Sequence, residues 1–211
     1  MNNTEIRSYQ AALETREEND EGVIEGMPVV FNQRTDLGWF DEIIAPEALD
    51  GADLTDVRLC LNHDTSYVYA RSRNNNENST MKLRIEPNAG MAMRAKLDIK
   101  ASPRAADYYS AVKNGNIDKM SFMFTVDRDE WADVDTDHPT RTIKAIKRVY
   151  EVSAVTFPAY EGTSISARAE GAALDSARAS LESAKAKLAE ERAATEQAER
   201  RKALLATLRG E

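Results

Sequence analysis

At 211 residues, 42% of them hydrophobic, the chain can hold one good-sized domain with an appendage and is too apolar for wholesale disorder. A net charge of −8 argues against a nucleic-acid-binding surface, and a single cysteine excludes an intrachain disulfide. The N-terminus, Met1-Asn2-Asn3-Thr4-Glu5, lacks the basic and apolar regions of a signal peptide, and no apolar run nears the roughly 20 residues of a membrane span. A soluble, cytoplasmic protein is expected.

In chain order, Val57, Leu59, Leu61 and His63 alternate with Arg58, Cys60 and Asn62, the pattern of a half-buried strand. A polar loop over residues 74–79 follows. Met81–Glu86 and Met91–Asp98 alternate likewise, and the turn signal Pro87-Asn88-Ala89-Gly90 between them predicts a hairpin. Ser102-Pro103 reads as a helix start and Gly115 as its end, with Ala105, Tyr108, Tyr109 and Val112 on one apolar face. Met120, Phe122, Phe124 and Val126 alternate with Ser121, Met123 and Thr125. A further strand lies within 143–156 and is closed by Pro158. Many short strands with one clear helix predict a mixed β barrel or sandwich decorated by helices, an α+β class.

Composition changes at Arg168. Residues 169–211 hold no aromatic residue and no proline, and their eight acidic and eight basic residues cancel, so the net charge of −8 belongs to residues 1–168. Two units are expected, 1–168 and a helical extension 169–211, with a hinge at Arg168-Ala169-Glu170-Gly171. Leu174, Leu181 and Leu188 recur every seven residues with Ala177 and Ala184 between them, and the register fails at Thr195 and Lys202. A coiled-coil assembly element and a solvated helix both fit.

For chemistry, the chain offers two histidines, which narrows the choice of a general base. Alternation puts Ser121 on the face opposite Phe122 and Phe124, open to a cleft; an ordinary strand serine is the plainer reading. His63 ends its strand, where a hydrogen-bonded structural histidine is equally natural. Glu151 sits in Val149-Tyr150-Glu151-Val152-Ser153-Ala154-Val155, a carboxylate in a row with Val149, Ser153 and Val155, and needs a partner if buried. An imidazole N–H would satisfy it and fix the histidine tautomer. Ser153 is a rival nucleophile on that face. Cys60, on the face opposite His63, reads as a small core residue. Asp133, Asp135, Asp137 and His138 resemble the start of a calcium loop. His138 stands where a glycine belongs and Lys144 where a bidentate glutamate is required, so no metal site is assigned. No phosphate-binding or dinucleotide motif is present, and no cofactor is expected.

As an ordered set, several segments resemble the prohead (procapsid) maturation serine proteases of tailed bacteriophages. They are Gly26–Phe31, Phe40–Leu49, Leu61-Asn62-His63-Asp64, Ser102-Pro103-Arg104-Ala105, Asn114–Phe124 and Glu151–Tyr160. The resemblance covers about residues 10–168. It implies a fold similar to herpesvirus assemblin, a small mixed or antiparallel β barrel surrounded by helices, here followed by the long C-terminal helix. It implies a serine endopeptidase domain at 1–168 with Ser121 as nucleophile and His63 as base. The third member is Glu151, with His138 as the other candidate. It further implies a major capsid protein precursor with its scaffolding segment as partner and substrate, self-cleavage, and a place inside the procapsid in the host cytoplasm. The C-terminal helix would serve recruitment or self-association. A non-catalytic capsid-associated or scaffolding protein that keeps the fold is the alternative. Relatives often read Ser-Phe-Gly-Phe; here Met123 replaces the glycine on the face of Ser121, which would narrow the cleft.

Overall fold

A computed structural model describes residues 4–9, 13–156 and 167–209. The strands in the first part are β1 (Thr4–Tyr9), β2 (Glu14–Glu18), β3 (Glu21–Val30), β4 (Thr35–Asp36) and β5 (Asp41–Ile44). After a 3₁₀ turn (Pro46–Leu49) come β6 (Val57–Leu61), β7 (Ala70–Ser72), β8 (Met81–Glu86) and β9 (Gly90–Leu97). Helix α1 (Pro103–Lys113) precedes the long strands β10 (Lys119–Ala132) and β11 (Thr140–Val155), and α2 (Ala167–Arg209) ends the chain.

The strands pair as two sheets. One has seven strands with the path β1-β10-β11-β5-β4, and β6, with β7 beyond it, joins the same edge of β11 further along. The other is β2-β3-β9-β8. β11 is long enough to take two parallel neighbours in succession, β5 against 140–143 and β6 against 151–154. The expected α+β class holds, but the pairings run as two sheets rather than one closed ring, so the barrel is not seen. A single core lies between them: Ile24, Val29, Met91 and Leu97 from one sheet meet Leu59, Phe122, Phe124 and Val152 from the other, with Tyr108 and Tyr109 of α1.

Local sequence explains the elements. The β8–β9 hairpin forms as its turn signal predicts: Asn88 takes a positive φ, and the Ala89 N–H closes the turn on the Glu86 carbonyl at 3.1 Å. Gly90 is required there, because a Cβ would lie 1.9 Å from the Val29 carbonyl oxygen. In α1, the Ser102 hydroxyl accepts the Ala105 N–H at 3.3 Å, Pro103 occupies the first turn, and Gly115 takes a left-handed φ just past the end. Its buried face is the predicted Ala105, Tyr108, Tyr109 and Val112.

Helix α2 runs unbroken through 168–171, where a hinge was expected. The leucine repeat is used within the molecule. Ala177 and Leu181 are buried, and Leu174 and Ala177 belong to a cluster with Leu37, Phe40, Trp39 and Trp131. Ser180 accepts the Trp131 indole N–H at 3.0 Å and donates to Asp129 at 2.7 Å, and Arg192 meets Asp135. Residues 193–205 are exposed. The register therefore fails where the helix leaves the body. Pro158, expected to close β11, lies outside the described residues.

On the core side of β1 a buried ion cluster ties the strand down. Arg7 pairs with Glu5 and Glu42, and Arg141 pairs with Glu5, Glu42 and Asp129. The side chains of Glu5, Arg7, Glu42 and Arg141 are at most 3% exposed. Burial works to lower the Arg141 pKa, yet the charges of Glu5 and Glu42 override it and hold the guanidinium well above its ordinary value.

Candidate active site

The candidate site sits on the face of the seven-stranded sheet that looks away from the main core. Met120, Phe122 and Phe124 of β10 point into the core, so Ser121 and Met123 point the other way. Across the antiparallel ladder Ser121 faces Ser153 and Met123 faces Glu151, and one strand further Ser153 stands beside Cys60.

A bulge puts Glu151 there. Met123 pairs with Glu151 but Phe124 with Val149, so Tyr150 is the extra residue. Val149 is thereby turned into the core while Glu151 stays on the other face. The row that simple alternation drew through Val149 and Glu151 is broken at this point. Bulges commonly re-aim a side chain beside a reactive site.

His63 arrives by a turn rather than along the strand. β6 ends at Leu61, and Asn62 and His63 both take left-handed φ values, 51° and 60°. Asparagine tolerates that region well, histidine less often. Asn62 anchors the turn: its N–H donates to Ala154 O at 3.0 Å, and its side-chain oxygen accepts the Thr156 N–H at 2.9 Å. The imidazole then reaches the face of Glu151 and Ser153, not the Leu59–Leu61 face that alternation predicted.

The result is a tight constellation. His63 Nδ1 lies 2.5 Å from Glu151 Oε1, with the His63 side chain 19% exposed and that of Glu151 only 1%. The Ser153 hydroxyl donates to Glu151 Oε2 at 2.5 Å and accepts the His63 backbone N–H at 3.1 Å. Both carboxylate oxygens are thus engaged. A carboxylate on Nδ1 makes that nitrogen the donor and leaves Nε2 as the basic one. Among the described residues Nε2 takes no hydrogen bond. Sequence reasoning saw Ser153 as a rival nucleophile; here its hydroxyl bridges the His63 backbone N–H and the Glu151 carboxylate.

Ser121 is brought to this face but not to the imidazole. It is fully buried, and its hydroxyl donates to the Arg7 carbonyl of β1 at 2.9 Å. Among the described residues no hydrogen bond joins it to His63. His138 lies elsewhere, 3.2 Å from Asp41 and 3.9 Å from Asp36, and Arg34 already meets Asp41 at 2.7 Å. Burial raises the Asp41 carboxyl, but the His138 and Arg34 contacts outweigh it and hold its pKa below the ordinary value. Asp36, Asp41 and His138 bring ligand atoms within 4.8 Å of one another. The expected spacing of Asp133, Asp135 and Asp137 is not such a cluster: Asp135 meets Arg192, and the Asp133 carbonyl caps a turn at Thr136. Cys60 is fully buried, and burial followed by the Glu151 charge pushes its thiol up to about 12, which removes it as a nucleophile.

An imidazole held by a buried carboxylate, on the sheet face that also bears Ser121, supplies the base and orienting group of acyl transfer by a serine hydrolase, while the hydrogen bond from nucleophile to base is not made. The family model of the caudovirus prohead serine proteases matches residues 10–176, and the chain belongs to that family. No curated protein and no solved structure matches it. No helix among the described residues is long and apolar enough to cross a membrane.

Proposed function

We propose that this chain is the serine endopeptidase of a phage procapsid, with Ser121 as nucleophile, His63 as general base and Glu151 as its orienting partner. The observation that carries this reading is the His63–Glu151 contact at 2.5 Å, made through Nδ1, on the sheet face that also bears Ser121. His63 Nε2 takes the Ser121 proton as Oγ bonds to the scissile carbonyl carbon. The imidazolium, stabilised by Glu151, then gives that proton to the leaving amine as the C–N bond breaks. Water repeats the cycle on the acyl-enzyme, releasing the acid and restoring Ser121. Met123, directly across from Glu151, is placed to restrict the substrate side chain that enters beside the base.

Family membership supports the capsid precursor as partner. The substrate is its scaffolding segment, and the chain also cleaves itself, inside the assembling procapsid in the host cytoplasm. Residues 1–168 form the protease domain, of the assemblin type. Residues 169–211 form an extension whose exposed distal half associates with other helices, its own copies included. Intact-mass analysis of the chain co-expressed with its capsid precursor, beside Ser121→Ala, tests the reading. Discrete truncation in the wild type alone is expected. Uncut precursor in both, with shells assembled, overturns it.

A further inference from the structure

The Ser121 hydroxyl gives its proton to the wrong partner for catalysis. It donates to the Arg7 carbonyl of β1, and the serine is fully buried. β1 runs antiparallel along β10 in continuous register from Thr4–Thr125 to Tyr9–Met120, with Ser8 directly opposite Ser121. The other edge of β10 is filled along its length by β11. An extended peptide that is to lay its backbone alongside Ser121 therefore has one edge to use, and β1 occupies it.

Resting on the assignment of Ser121 as nucleophile, we propose that β1 is a resident occupant of the substrate-strand site. The edge of β10 binds an extended substrate segment by strand addition, and the chain's own residues 4–9 hold that edge until they are displaced. Two further observations agree. β1 precedes the family match, which begins at residue 10, so among the described residues β10 is the sheet edge of the matched region. Its release is resisted by the burial of Glu5 and Arg7 among Glu42 and Arg141, and by α2, which packs against β1. Spontaneous opening is thus rare, and the hydroxyl stays bonded to Arg7 rather than free for His63.

Deleting β1 would strip Arg141 and Glu42 of partners and risks unfolding, so the test locks the strand instead. Thr4 and Thr125 are register partners, and the Thr125 hydroxyl has no hydrogen-bond partner to lose. Directly opposed strand residues bring Cβ atoms to about 4.5–5.5 Å, close to what a disulfide spans. In the full-length Thr4→Cys/Thr125→Cys double variant, diisopropyl fluorophosphate is the probe. It forms an Oγ–P bond at Ser121, and fluoride and the serine proton leave. Peptide mass mapping follows the modification in the oxidised and the reduced protein.

Labelling of the oxidised form is expected to be slower by roughly tenfold or more, because the crosslink forbids the opening on which it waits. Reduction should restore the rate to that of the parent chain. Equal rates in both redox states would overturn the proposal and leave the protease reading standing. No labelling of Ser121 in the parent chain or in either redox form, with the fold intact, would overturn both.

Discussion

Two polar clusters hang on the same strand, and they differ in what they leave unsatisfied. Near the start of β11, Arg141 joins Glu5, Glu42, Asp129 and Arg7 in a buried network in which each named charge faces an opposite one. Guanidinium groups do not lose their protons in a protein, so neither arginine of this network can serve as a base. Near the end of β11, Glu151 holds His63 through Nδ1 and Ser153 holds its backbone N–H, and among the described residues the second ring nitrogen takes no hydrogen bond. The first cluster is closed and braces β1 against the sheet. The second is oriented but keeps one basic nitrogen in hand. Burial of charge alone does not separate structure from chemistry here; the unengaged Nε2 does.

Removing the charge from each cluster sharpens the contrast. Glu151→Gln keeps the shape but not the charge that, on the proposed mechanism, stabilises the imidazolium. A loss of about 10⁴-fold in kcat/KM on a peptide substrate is expected, as for the equivalent change in a serine-protease triad. That is roughly 5 kcal/mol of transition-state stabilisation, with little change in Tm. Kinetics beside a thermal melt would reverse the assignment if Tm collapsed while turnover per folded molecule held. Arg141→Met should do the opposite. It takes one of two guanidinium groups from the buried site, leaving Arg7 to face both Glu5 and Glu42, at a cost of about 3–5 kcal/mol in chemical denaturation. Activity per folded molecule should not fall, and should rise if release of β1 limits it. A variant as stable as the parent would show that the network braces nothing.

Much of this frame was legible in the sequence because local chemistry agreed with the final packing. The β8–β9 hairpin, the Ser102 cap and the four-residue face of α1 follow from turn residues and periodicity, and the structure keeps them. What failed were the places where strict alternation was carried too far. The bulge at Tyr150 separates Val149 from Glu151, and the left-handed pair Asn62-His63 turns the imidazole onto another face. The Asn-His pair carried a faint signal, since asparagine accepts that conformation; the bulge carried none. The heptad stripe of α2 was visible, but not that Trp39, Phe40 and Trp131 would cover it, because those residues are distant in sequence. For the same reason nothing announced that β1 would lie alongside Ser121.

Ser153 sharpens the comparison at a smaller scale. Ser153→Ala leaves Glu151 Oε2 and the His63 N–H without their partner, so a stability loss of about 1–3 kcal/mol is expected. A loosened base should also lower kcat by on the order of ten- to a hundredfold with KM unchanged, as removing a supporting hydrogen bond does elsewhere. Ser153→Thr, which keeps the hydroxyl, should restore most of kcat. If Ala and Thr variants lose activity equally, the hydroxyl is a packing feature rather than a positioning one.

The smallest effect belongs to Cys60, which shares this face yet takes no part. Its thiol is raised from the ordinary 9.0 to about 12, first by burial and then by Glu151, so the folded state favours the protonated form. This contribution to stability is whole below pH 9 and is lost as pH climbs toward about 12. Iodoacetamide at pH 8 should therefore leave the native protein unmodified, and react once denaturant unfolds it. Modification of the native protein at a rate matching a free thiol would mean that the sheet beneath His63 opens readily. The imidazole and its carboxylate would then be held far less firmly than the buried network at the other end of β11.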